Sequence, residues 1–410
     1  AAMIGIISIS LIIWFGSPFI SVGEDRIFQP KSYRIIIILV FILLWVCYCL
    51  IKLFISNKQH NKLTQALESK LEEQHEKWIK TLKQDFHQAL NLVESSKHIK
   101  TKFKKLTPWY LVIEDEQELN TSFIKGADLK FAFNERNKSV TKNNKDKLST
   151  WWLNTKACFI STPHDVVQDE KYLSYWNTFI TLLRKNRKKC PLNGVVVCLD
   201  VDLFQSHSQM LMQNKARKIR SRLNELNLKL GLNCPIYLVL TNVNKLIGFK
   251  EYFFNFSSQD LSQPWGVTFD LKQQSTRAQP TNEFEDRFNS LIESTMDNYH
   301  RILFEQPSIK DKEQVFNFPD QLNTLRENIY CFLDDLFSPL EFESTPLLRG
   351  VYLTAHASGI DNKHSYFIKD LVSKFILKEQ TIAINHEGVR VQNAMMRKVV
   401  VLTTATIFLL

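Results

Sequence analysis

The stretch VIEDEQELNTSF, residues 112–123, follows the apolar opening of WYLVI and leads towards a helix. In a doubly wound domain such a strand-to-helix junction holds phosphate, because backbone amides at the helix start face the anion. Thr121 offers a hydroxyl suited to magnesium, yet Glu114, Asp115, Glu116 and Glu118 give the junction the sign that repels phosphate. Near a protein surface two unit charges ~4 Å apart interact by about 4 kcal/mol, so these acids oppose a triphosphate unless a cation intervenes. A second set, His164, Asp165, Asp200 and Asp202, stands at the ends of two further strand-like runs, where acid–base chemistry would assemble at a sheet edge. No nucleophile elbow or metal-ligand spacing joins these four, and sheet-edge caps with solvated loops are the favoured reading.

The elements that must position these residues read as strands and helices in alternation. WYLVI, ACFIS, GVVVCLDV and PIYLVLTNV are short apolar runs whose weak alternation is expected of strands covered on both faces. KYLSYWNTFITLLRKNRKK and SQMLMQNKARKIRSRLNELNLKLG separate them with helical spacing, the second closing at Gly231. This order predicts an α/β domain with a mostly parallel sheet and flanking helices. From about residue 282 the pattern becomes helical, interrupted by VYLTA as a strand and followed by KDLVSKFILKEQ as a short helix. Trp151, Trp152, Trp265 and Gly266 read as packing residues ahead of a partner contact, Gly350 as backbone geometry ahead of ligand approach, and Cys158, Cys198 and Cys234 as small buried side chains.

The chain ends carry a different signal. Residues 1–15 and 35–51 hold no charge and read as two membrane helices, with a short outside loop between them. VVLTTATIFLL, residues 400–410, reads as the opening turns of a third crossing. Lys52, Lys58, Lys62, Lys70, Lys77 and Lys80 follow the second run, which favours a cytoplasmic body. The formal charge of +10 suits a membrane-proximal protein better than a nucleic-acid binder, since no zinc-finger spacing or aromatic–basic recognition pattern accompanies it. Between 59 and 96, Leu67, Leu71, Trp78, Ile79, Leu82, Phe86, Leu90 and Val93 form one face of a long helix. That stripe suits a partner surface and the chain's own body equally well. Lys97, Lys100, Lys102, Lys104 and Lys105 then form a basic linker, read either as a lipid contact or as a solvated face.

PWYLVI, the Trp151–Trp152 pair, ACFISTP, PLNGVVVCLDV, PIYLVLTNVNKL, QPWGVTF and LLRGVYLTA resemble, in order and spacing, the IcmF/TssM family of membrane components of type VI and type IVB secretion systems. The resemblance implies two transmembrane helices over 1–57, a helical stem and basic linker over 58–107, and a small-GTPase-like cytoplasmic domain over 108–275. It further implies a helical extension with a short strand over 276–398 and the start of a third transmembrane helix over 399–410, ahead of a periplasmic region. It implies an inner-membrane scaffold assembled with a DotU/TssL-like membrane protein, other secretion subunits and the lipid bilayer. On the family pattern the first glycine of the phosphate loop falls at Glu114, the second at Leu119 and the lysine at Asn120, with Thr121 retained. The metal-supporting Asp falls at Ser161, and the guanine-reading Thr-Lys-x-Asp falls on Thr241, Asn242, Val243 and Asn244. The nucleotide site is thus expected to be degenerate, with no catalytic residue, cofactor or metal. The alternative is a nucleotide-binding conformational switch with weak or absent hydrolysis.

Overall fold

In the computed structural model the described residues are 40, 74–91, 107–114, 122–129, 148–154, 156–188, 190–205, 208–270, 280–338, 346–356 and 365–385. The apolar runs expected to cross the membrane, apart from Val40, both ends of the stem, with Leu67, Leu71 and Val93 of its stripe, and the basic linker lie outside them. Among the described residues no helix is long and apolar enough to cross a membrane.

Five apolar runs lie side by side and point the same way because each buries side chains on both faces. They are β1 (Trp109–Glu114), β3 (Cys158–Pro163), β4 (Gly194–Asp200), β5 (Pro235–Thr241) and β7 (Leu347–Leu353). β2 (Thr150–Leu153) and β6 (Gly266–Thr268) close the two edges antiparallel, giving the order β2-β3-β1-β4-β5-β7-β6. The VYLTA run therefore pairs directly with β5, so the chain beyond 276 contributes to the same sheet. Between Ile236 and Tyr237 the β5–β7 register shifts, leaving Arg349 as the extra residue of β7.

One sheet face carries Leu111, Ile160, Val197, Leu238 and Val351 and forms the larger core. Helix α1 (74–91), α3 (Leu173–Asn186), α4 (Gln209–Leu230), α5 (Pro280–Glu305) and α6 (Ile309–Phe337) supply its cover. The described part of the stem stripe packs on the chain's own body. Trp78, Leu82 and Phe86 are buried, and Phe86 meets Trp151 edge-on at 5.3 Å and Trp109 at 5.8 Å. Helix α4 ends as expected, at Gly231 in the left-handed region (φ 65°), where its N–H donates to Asn227 O at 2.9 Å. Helix α6 starts earlier than its apolar periodicity suggests and runs through Pro319. Its start is fixed by Ser308, whose side chain accepts from the Asp311 N–H, and burial of Phe318 and Pro319 offsets the backbone bond that proline removes.

The opposite face carries Tyr110, Val112, Phe159, Val196, Tyr237, Val239 and Tyr352. Its cover is slighter: α2 (Ser122–Gly126) through Phe123 and Ile124, and a strap, residues 365–385, through Ile368, Leu371, Val372 and Ile376. The strap contains a π-helical turn, Leu371–Ile376, where a short helix is expected from the sequence. At the β6 edge, Trp265 packs among Phe249, Phe253, Phe318 and Phe367, and Gly266 has φ 150° with space for no Cβ, which would stand 2.2 Å from Val351 O. The packing roles read for Trp265 and Gly266 hold.

Phe86→Ala is expected to destabilise the body by about 3–5 kcal/mol, since it removes a fully buried ring from between two tryptophans. Lys83→Ala, on the solvent side of α1, should stay within about 0.5 kcal/mol. Urea unfolding of the two variants checks both values, and equal costs would contradict docking of α1 on the sheet.

Candidate functional site

Because β3, β1, β4, β5 and β7 are parallel, their C-terminal ends share one edge, and β1 is central to it. Glu114 is the last residue of β1, in register with Pro163, and is only 6% exposed. Leu119, Asn120 and Thr121, with Asp115, Glu116 and Glu118, lie outside the described residues. Ser161 sits within β3 opposite Val112 and is fully buried. Its Oγ, and Oγ1 of its neighbour Thr162, have no hydrogen-bond partner among the described residues.

Across the β4–β5 boundary a carboxylate organises the edge. Asn242 adopts a left-handed conformation (φ 58°) and donates from Nδ2 to Asp200 Oδ2 at 2.6 Å. Lys245 Nζ reaches both Asp200 oxygens at 3.1 Å and also bonds Asp202, while the Asp202 N–H donates to Asp200 Oδ1 at 2.9 Å. Burial works against the Lys245 ammonium, but hydrogen bonds to Asp202 and Asp200, and their charges, hold its pKa above the ordinary value. Asn244, in the one-turn 3-10 helix Val243–Lys245, keeps a buried Oδ1 without a partner among the described residues. Asn242 and Lys245 are thus turned toward Asp200, joining two strand ends.

His164 makes its hydrogen bonds elsewhere. Its Nε2 faces Cys198 O at 3.3 Å and its Nδ1 faces the Gln168 amide nitrogen at 3.0 Å, a pairing that fits a neutral ring protonated on Nε2. The ring is buried and ties the helical turn His164–Gln168 to β4. The structure brings Asp200 and Asp202 together and directs the His164 ring elsewhere. Cys158, Cys198 and Cys234 are buried and form no disulfide among the described residues, and burial pushes the Cys158 thiol up to about 12 against the opposing charge of Arg187. Such thiols are packing groups.

A second polar cluster escapes sequence reasoning and lies on the smaller sheet face. Arg349, extruded by the bulge in β7, grips Glu379 in the strap: Nε stands 2.9 Å from both carboxylate oxygens and Nη2 2.6 Å from Oε1. Its Nη1 donates to Phe269 O, and the guanidinium lies 5.2 Å from the Phe375 ring centroid. Tyr237 donates to the same carboxylate at 3.0 Å, and Tyr110 donates to Ile376 O at 2.9 Å. Burial, then the Glu379 charge, pushes the phenols of Tyr110 and Tyr237 well above the ordinary tyrosine range. The signal available in sequence was the Arg349–Gly350 pair, whose partner lies 30 residues on.

Residues 170–361 match the profile of the IcmF-related N-terminal domain. The chain is similar to the type VI secretion system component TssM1 of Pseudomonas aeruginosa, with 27% identity over 290 residues, which cover 68% of this chain and 26% of that protein. The chain therefore spans about a quarter of the length of the curated relative it matches. No solved structure matches.

Two outcomes follow from the strap cluster. Arg349→Met leaves Glu379 without its cation in a place where both side chains are largely buried, and is expected to cost about 3 kcal/mol in urea unfolding. Arg349→Met/Glu379→Met together should cost less than Arg349→Met alone. The tyrosine pKa shifts are upward, so the folded state favours neutral phenols. Their contribution is intact below about pH 10, where an unfolded tyrosine ionises, and is lost as pH rises beyond it. Absorbance of phenolate against pH should show a set of tyrosines that ionise only with unfolding; smooth titration of every phenol in the folded protein would contradict the burial.

Proposed function

The chain belongs to the IcmF/TssM family, and from that premise we propose that it is a non-enzymatic scaffold of a type VI secretion apparatus, held at the inner membrane and assembled with a DotU/TssL-like membrane protein. The observation that carries this reading is the state of the C-terminal strand edge. A phosphate loop needs glycine where amides approach the anion and lysine to offset its charge. The first glycine position is Glu114, a buried carboxylate ending β1. The metal-supporting position is Ser161, a hydroxyl enclosed within β3. The guanine-reading segment spends Asn242 on Asp200 and offers Asn244 in place of a carboxylate. These residues do not fit a magnesium-bound nucleotide.

The competing reading, a nucleotide-responsive switch, draws support from topology. In our reading the order β2-β3-β1-β4-β5-β7, with β2 alone antiparallel among these six, supports the small-GTPase-like expectation, with β7 taken as its last strand. In our reading the architecture persists as a platform while the ligand chemistry is lost, as fold and function are separable. The apolar runs 1–15 and 35–51 support an inner-membrane location.

The test uses the full chain extracted gently from cells expressing it at native level. Titration with GTP and ATP, with and without magnesium, is expected to give no saturable binding, and the extract is expected to retain a DotU/TssL-like membrane protein. Micromolar nucleotide affinity would favour the switch, and absence of the membrane protein would remove the partner assignment.

A further inference from the structure

Helices α5 and α6 form an antiparallel pair whose inner sides enter the larger core through Phe284, Phe288, Ile302, Phe318 and Leu322. Their outer sides have an unusual composition. On α6, Ile309, Glu313, Phe316 and Asp320 recur at separations of four, three and four, which places them on one solvent-facing stripe. On α5, Glu293, Asp297, His300 and Phe304 recur in the same way. Phe304 is 81% exposed, Ile309 87% and Phe316 63%. The loop carrying Phe254, itself 74% exposed, is held to the end of α5 by Asn255, which donates to Glu305 at 3.2 Å. Large apolar groups so open to water at one end of a helix pair mark a contact surface.

Charge selects what that surface contacts. Residues 280–337 hold twelve Asp and Glu against five Lys and Arg, in a chain whose formal charge is +10. Glu283, Glu305, Glu327 and Asp335 have ion-pair partners in Arg287, Arg301, Arg326 and Arg217. Glu293, Asp297, Glu313 and Asp320, the acids of the two stripes, make no ion pair among the described residues. An anionic lipid surface or a nucleic acid would meet uncompensated like charge here. The same face on a second copy would bring those acids against one another.

We propose that the outer face of the α5–α6 pair docks a basic amphipathic segment of another protein, whose apolar side covers Phe304, Ile309 and Phe316 while its lysines or arginines meet Glu293, Asp297, Glu313 and Asp320. This is helix-on-groove recognition with acid–base complementarity fixing orientation and partner choice. It rests on the scaffold reading in requiring a protein partner, and it is independent of whether a nucleotide occupies the strand edge.

The experiment places the photo-crosslinking residue p-benzoylphenylalanine at Phe304 or Phe316 in the full chain, in cells, and identifies the linked peptide by mass spectrometry. Expected is an adduct to a peptide of another protein with net positive charge and apolar residues at helical spacing. With Asp297→Lys and Glu313→Lys in the same chain the adduct should fall at least about tenfold, because like charges then face each other. Both substituted positions are exposed, so the thermal midpoint serves as the folding control. Adducts to lipid, to an acidic peptide or to a second copy of this chain, or an adduct that ignores charge reversal, would overturn the proposal. Co-purification of the DotU/TssL-like protein is read on the same samples. A retained complex without the adduct sinks the docking surface alone, whereas an absent complex removes the DotU/TssL-like partner assignment.

Discussion

A parallel sheet has two apolar faces, and neither can be left to water. On the larger face long helices meet that demand through ordinary apolar packing. On the smaller face only α2 and the strap are available, and the strap reaches across three strands that each present a tyrosine: Tyr110, Tyr237 and Tyr352. Those phenols need partners as well as cover. Arg349 and Glu379 answer both needs, since one ion pair binds strap to strand and supplies an acceptor for Tyr237. The bulge that extrudes Arg349 from β7 is what makes the reach possible. Tyr352 is satisfied separately, sharing a hydrogen bond with Thr268 of β6 at 2.9 Å.

The same economy governs the C-terminal strand edge. In an open α/β sheet that edge is where ligand-binding loops gather. Here several described polar groups at the edge are committed to one another: Asn242 and Lys245 to Asp200, the His164 ring to Cys198 and Gln168. Such bonds hold strand ends in register without needing a ligand to complete them. The buried hydroxyls of Ser161 and Thr162 and the amide oxygen of Asn244 are exceptions, each without a hydrogen-bond partner among the described residues, at a cost of about 1–3 kcal/mol apiece.

Much of this was legible in the sequence wherever a local rule decides the outcome. WYLVI, ACFIS, GVVVCLDV and PIYLVLTNV could be read as strands because a β-rich run covered on both faces leaves its own composition. Gly231 could be read as a helix end because a left-handed residue there favours glycine. The stem stripe was legible as a helix face but not as to what it covers, because periodicity records that a face is apolar and not what lies against it. β2 is four residues long and its ladder is set by β3, so its Trp151–Trp152 pair pointed to packing, ahead of a partner contact, and not to a strand. The early part of α6 was hidden behind Pro319, whose penalty is met by burial that only the tertiary structure supplies. The Arg349–Glu379 pair was beyond reach for a similar reason: neither residue has a sequence neighbour that announces the other.

What unites these features is where the chain enters and leaves the body. Helix α1, which follows the apolar run 35–51 in sequence, is bound to the larger face by Trp78, Leu82 and Phe86. The strap, which precedes the apolar run 400–410, is bound to the smaller face by Ile368, Leu371 and the Arg349–Glu379 pair. The sheet is therefore held from both sides by the described segments that stand nearest in sequence to those runs. A catalytic α/β domain gains from loops free to close over a ligand. In the proposed scaffold role, α1 and the strap are better fixed than free, since both are joined to the sheet through packed side chains and, for the strap, a buried ion pair.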